Sequence, residues 1–199
     1  MSNSKKARIK RGPPPSKPIK RRKYRDALPE LLRDFLGRCA YSMQHQSRSG
    51  PLEVDHFDPR QKKDLIQDYT NLFPASRHCN GKKADTWPNK AEKAAGCRFL
   101  NPCEEMDYGE HIFEDSRTHE LIGATPAGRW HIRICGLNAN HLVQERRRRA
   151  DHWAAIRSKA LLITGDHQAA RDLIEKYRSE VELMIPEVPA PPGHSCCLV

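Results

Sequence analysis

Leu52 to Asp85 reads LEVDHFDPRQKKDLIQDYTNLFPASRHCNGKKAD, and this stretch decides the fold. Three polar islands interrupt it: Asp55-His56, then Asn71 followed by the apolar pair Leu72-Phe73, then Cys79-Asn80-Gly81-Lys82-Lys83. Leu52 to Phe57 alternates weakly over a short run, so a strand is expected there, and Asp58-Pro59 turns the chain. Leu72-Phe73 predicts a second strand, stopped by Pro74. Ser76 to Ala84 predicts a short helix with Ser76 as its cap. The order is strand, long loop, strand, helix. Asn80 and Lys83 are three residues apart and share a helix face.

These residue types suit phosphodiester hydrolysis. That reaction needs an activated water and stabilisation of the charge developing on the phosphate, which a metal ion can supply as Lewis acid and template. Mg²⁺, with Mn²⁺ as substitute, prefers oxygen ligands and keeps several waters, so one carboxylate and one amide oxygen suffice. Asp55 and Asn80 are that pair. His56, with an ordinary pKa of about 6.5, can accept a proton from water near neutral pH. Adjacent strand residues point to opposite faces. Local distortion or a strand end is therefore expected at 55–56. Asn71 is expected to orient His56 or pin the loop, and Lys83 and Lys82 to contact phosphate.

The runs EVDHFDP, NLFPAS and HCNGKK resemble the HNH endonuclease family, whose core is a ββα-metal fold. The resemblance covers about residues 39–85. It implies that His56 is the general base, Asp55 and Asn80 the metal ligands, Asn71 the central Asn and Lys83 the trailing Lys. Many HNH proteins staple the core with zinc held by two Cys-x-x-Cys pairs. Here the matching places read Cys39-Ala40-Tyr41-Ser42 and Ser76-Arg77-His78-Cys79, so half of each pair is Ser. A structural zinc wants four Cys or His ligands. Zinc on Cys39 and Cys79 is therefore not expected, and the two are read as buried neighbours. The segments 108–115, 131–138 and 142–147 are similar to the HNH subunit of Septu-type and retron anti-phage systems, which implies an ATPase partner.

Outward from this core, residues 1–25 carry eleven Lys and Arg and no acid, broken by Gly12-Pro13-Pro14-Pro15. This predicts a mobile basic arm able to touch phosphate. A helix is expected from Asp26 as cap, with Pro29 in the first turn and Leu28, Leu31, Leu32, Phe35 and Leu36 as its stripe, ending at Gly37. Residues 112–113, 120–122 and 130–134 read as strands, with Pro126-Ala127-Gly128 as a turn. A long helix from Asn138 or Asn140 to about Ile163 contains Arg146 to Arg149. Gly165 breaks it, and Asp166 caps a further helix to about Met184, making a hairpin. The fold class expected is α+β: a ββα-metal core (26–106) with a preceding helix, an accessory β and helical region (107–185) for partner docking, and a tail (186–199).

The net charge is +10 among 199 residues. The pI is about 9.4 and the mean hydropathy −0.81. A polyanionic partner is indicated, DNA first and RNA second. Seven scattered Cys do not form a secreted disulfide framework, no apolar run spans a membrane, and the basic N-terminus lacks a signal core. A cytoplasmic protein is expected. The last four residues, Cys196-Cys197-Leu198-Val199, formally match a prenylation box. Two rivals to a DNA endonuclease use the same residues: a non-catalytic nucleic-acid-binding scaffold of HNH shape, and a stand-alone restriction or toxin nuclease.

Overall fold

A computed structural model describes residues 7–176. The fold is α+β, with three small antiparallel sheets of two strands each among the described residues. Strand β1 (Ile19–Lys20) leads into a 3₁₀ segment (Arg21–Ala27) and helix α1 (Leu28–Asp34). A single turn, α2 (Gln46–Ser49), precedes β2 (Glu53–His56), β3 (Ile66–Gln67), β4 (Leu72–Ala75), α3 (Arg77–Lys83) and α4 (Lys90–Ala94). Beyond them lie β5 (Ile112–Glu114), β6 (Leu121–Gly123), α5 (Pro126–Ile134), α6 (Asn140–Thr164) and α7 (His167–Lys176). No described helix is long and apolar enough to cross a membrane.

The expected strand–loop–strand–helix order is present. β2 pairs with β4 from Glu53 opposite Ala75 to His56 opposite Leu72. Pro74 lies within the strand, opposite Val54, rather than stopping it. A two-stranded sheet has only edges, and these tolerate a residue without an N–H. Ser76 caps α3 by accepting from the Cys79 N–H. Directly opposite residues share a sheet face, so the hairpin is two-sided. Val54 and Leu72 pack with Leu31, Ala27 and Tyr69. Ala75 belongs to the main core with Cys39, Tyr41, Cys79, Phe99 and Trp130.

The basic arm is corrected from Arg8 onward. Arg8 bonds both oxygens of Asp107, at 2.6 and 2.8 Å, and donates to the Ala40 carbonyl. Arg11 donates to the carbonyls of Tyr69, Thr70 and Leu72. Ile19 and Lys20 pair with Gln67 and Ile66. Composition misleads here because an arginine that satisfies buried carbonyls counts the same as one in solvent. In α1 the N-cap is Ala27 rather than Asp26, with Pro29 in the first turn as expected. Gly37 follows with φ 68°, a left-handed value that glycine adopts without strain.

A second correction concerns residues 126–134, which form α5 rather than a turn and a strand. Thr125 caps it by accepting from Gly128 N–H, and Pro126 opens it. The alternation Trp130-Ile132-Ile134 mimics a strand, but Ala127, Trp130 and His131 are buried with helical spacing. Helix α5 lies directly on β6. A Cβ on Gly128 would sit 2.2 Å from the His111 carbonyl oxygen. Gly128→Ala is therefore expected to destabilise the protein by about 1–3 kcal/mol, the usual cost of overpacking. Urea unfolding that leaves the midpoint unchanged would count against this packing.

The long helix and its successor are as expected. Gly165 ends α6 in the left-handed conformation, and Asp166 Oδ1 accepts from Ala169 N–H at the start of α7. Three of the four consecutive arginines are tied within the fold. Arg146 donates to the carbonyls of His119 and Leu137 and to Asn138 Oδ1. Arg148 pairs with Glu145, and Arg149 with Glu114. The expected continuation of α7 to Met184, the tail 186–199 and the prenylation box lie outside the described residues.

Candidate active site

The β2–β4 hairpin and α3 bring the three polar islands together. Strand alternation places Glu53 and Asp55 on the face of β2 that meets α3, where Asn80 and Lys83 reach them from one side of the helix. Asn80 Nδ2 donates to Glu53 Oε2 at 2.6 Å. Lys83 Nζ lies 2.9 Å from Asp55 Oδ2 and donates to the His56 carbonyl at 2.7 Å. The Tyr41 hydroxyl also donates to Asp55 Oδ2. Burial, with the Asp55 charge adding to it, pushes the Tyr41 hydroxyl well above its ordinary pKa and keeps it a donor.

His56 ends β2, which meets the expectation of a strand end at 55–56. Its ring lies with Tyr24, centroids 4.7 Å apart, and with Gln67. Gln67 Nε2 donates to the Asp64 carbonyl, so Gln67 Oε1 faces His56 Nε2. His56 Nε2 must then carry the proton, and Nδ1 is left as the basic nitrogen. Burial lowers the His56 pKa below its ordinary value, against the opposing pull of Gln67 and Asp55. The imidazole is therefore neutral at pH 7.

Asn71 takes the second of its two expected roles, pinning the loop, whereas the role expected of Lys83 is corrected. Asn71 touches no group that could react. Its Oδ1 accepts from Asp58 N–H at 2.7 Å, its Nδ2 donates to the Asp58 carbonyl at 3.1 Å, and its own carbonyl accepts from Phe57 N–H. It is a positioning residue that clamps the chain leaving His56 onto β4. Lys83 has no exposed surface, so it cannot contact phosphate in this arrangement. It neutralises a buried carboxylate instead. Lys82 is exposed.

Sequence reasoning missed Glu53, Tyr41, Gln67 and Tyr24. Glu53 could have been found, because it lies two residues before Asp55 and strand period places both on one face. The others arrive through tertiary contacts that leave no local signal.

The donor types fit a hard divalent cation: a carboxylate from β2 and an amide oxygen from α3. Asn80 turns its amide nitrogen to Glu53, so its oxygen points away from that bond. Asp55 is already compensated by Lys83, so a divalent ion and the ammonium compete for one carboxylate. Zinc does not fit. Cys39 and Cys79 are fully buried and hydrogen-bonded to each other, as the expectation of buried neighbours has it. That bond and burial hold the Cys79 thiol protonated, well above its ordinary pKa. Ser42 N–H donates to Cys39 Sγ at 3.5 Å and Cys79 N–H to Ser76 Oγ at 3.3 Å. The four positions of the two C-x-x-C-like pairs thus converge, with hydroxyls at two of them, and even with Cys135 in the same buried cluster the three sulfurs fall short of the four Cys or His ligands of a structural zinc site. Incubation with EDTA or a tighter zinc chelator is expected to leave the melting temperature unchanged. A fall of several degrees that added zinc reverses would contradict this.

Comparison of the chain with protein-family models, with curated proteins and with solved structures returns no match.

Proposed function

We propose that this protein is a metal-dependent endonuclease of the HNH type that hydrolyses phosphodiester bonds of DNA. One observation carries the reading. A β–β–α unit ends β2 on a neutral histidine held by Gln67, while the preceding residue, Asp55, faces α3 and meets Lys83, with Asn80 three residues earlier on the same side of that helix. Asp55 and Asn80 would hold Mg²⁺ or Mn²⁺, and the ion, when bound, would supply Lewis-acid stabilisation of the phosphate charge. His56 Nδ1 takes a proton from the attacking water. Gln67 fixes the tautomer, Asn71 fixes the chain beside the base, and Lys82 offers a charge to the substrate backbone.

By resemblance, the nuclease is the effector of an anti-phage complex with an ATPase. The accessory elements β5 to α7 are its docking region in this reading, and co-purification with a neighbouring gene product tests it. The Lys83–Asp55 pair favours the rival of a non-cleaving scaffold, because that ammonium occupies the side of the carboxylate a metal needs. Supercoiled plasmid incubated with Mg²⁺ or Mn²⁺, with and without EDTA and with the partner if one is found, separates the two. Metal-dependent nicking or linearisation supports the nuclease. Intact plasmid that is nonetheless bound supports the scaffold.

A further inference from the structure

The segment Lys17 to Arg25 is a fixed face that abuts His56. Strand β1 pairs with β3, with Ile19 opposite Gln67. Gln67 in turn bonds His56, and Tyr24 lies against the His56 ring. Lys17, Lys20, Arg21, Arg22, Lys23 and Arg25 are all exposed along this segment. None of the six has a carboxylate within ion-pair distance among the described residues. This contrasts with Arg8 and with Arg146, Arg148 and Arg149, which are bonded within the fold. Across β3, Lys63 is also exposed, and its carbonyl accepts from Arg21. The acids next to these cations in the chain are Asp26 and Asp64.

We infer that the β1–3₁₀ face is a docking surface for the phosphate backbone of double-stranded DNA, one strand pairing away from His56. Unpaired, solvent-facing cations in a row release the counterions of a polyanion on contact. Duplex is favoured over single strand because single-strand grooves rely on open aromatic platforms. The aromatic ring of this face, Tyr24, is already covered by His56 and by Arg25, whose guanidinium lies 5.1 Å from its centroid. The purpose of the surface rests on the nuclease reading, since it delivers phosphate to the base; the binding itself does not.

The test is fluorescence anisotropy of a labelled 20-base-pair duplex in EDTA, over a series of NaCl concentrations. Wild type is compared with Lys17→Gln/Lys20→Gln/Arg22→Gln/Lys23→Gln, whose four side chains are exposed, so folding is kept. A control removes the same charge from α6 and α7: Arg147→Gln/Arg157→Gln/Lys159→Gln/Arg171→Gln. The face variant is expected to bind at least about tenfold more weakly at moderate salt, and to lose about 2–4 from the slope of log K against log[salt], at about 0.9 per phosphate contact. The control should lose less than about 1 by the same measure. Equal losses in both variants, or an unchanged slope in the face variant, overturn the inference. Tighter binding of the corresponding single strand overturns its duplex part. A protein that binds through this face yet cuts nothing would sink the nuclease reading and leave the surface standing.

Discussion

His56→Ala is expected to lower metal-dependent plasmid cleavage by about 10²–10⁴-fold, the usual contribution of a positioned general base. The sign of the pH dependence follows from the environment of the ring. Burial disfavours the imidazolium, so the His56 pKa lies below 6.5. The active form is neutral, so the rate should rise with pH through an inflection below 6.5 and be flat near pH 7. Gln67→Glu supplies a direct check on the assignment. It keeps an acceptor on His56 Nε2 but replaces a neutral oxygen by a charged one, which favours the protonated ring. The inflection should move up, with activity at pH 6 falling further than the plateau. A purely structural role for His56 would not move with Gln67 in this way. Cleavage that survives His56→Ala, or an inflection that ignores Gln67→Glu, would place the chemistry elsewhere.

The parts of this site that the sequence shows are those set by local period. β2, β4 and α3, the Ser76 cap and the strand end at His56 follow from alternation, helix spacing and capping chemistry. So does the placing of Asn80 and Lys83 on one side of α3. What local pattern cannot carry is the partner of each charge. Lys83 reads as a phosphate ligand because it trails an Asn in a basic run, yet the fold closes over it. Arg8 and Arg11 read as a solvated arm, yet Arg8 holds a carboxylate 99 residues away and the two together satisfy carbonyls 32 to 61 residues away. The same blindness hid Gln67 and Tyr41. In α5 the failure is different: Trp130, Ile132 and Ile134 alternate as a strand would, and the Thr125-Pro126 start together with the helical spacing of Ala127, Trp130 and His131 decides. Charge count points to an anionic partner only in general terms. Subtracting the cations bonded within the fold is what singles out the face at Lys17 to Arg25.

Breaking the buried pair at Asp55 should have the largest effect on stability. Lys83 is fully buried and Asp55 is 2% exposed. Removing the ammonium in Lys83→Met leaves a carboxylate in the core with only the Tyr41 hydroxyl bonded to Oδ2, and should cost about 3–5 kcal/mol. Asp55→Asn/Lys83→Met restores most of this, because a neutral amide still accepts from Tyr41 and no charge is left uncompensated. Urea unfolding of the four proteins in the cycle gives the coupling between the two residues. A cost below about 1 kcal/mol in Lys83→Met would mean that water reaches the pair, as at an exposed ion pair. The same variants also report on the metal. With the ammonium gone, Mg²⁺ can compensate Asp55 and should raise the melting temperature of Lys83→Met by binding the folded state. It should do so more than in wild type, where Lys83 competes, and not at all in Asp55→Asn/Lys83→Met. Equal Mg²⁺ shifts in all three proteins would show that the ion binds away from Asp55. The residue that resembles a phosphate ligand in the sequence thus acts, in this fold, as a built-in cation that compensates a buried carboxylate.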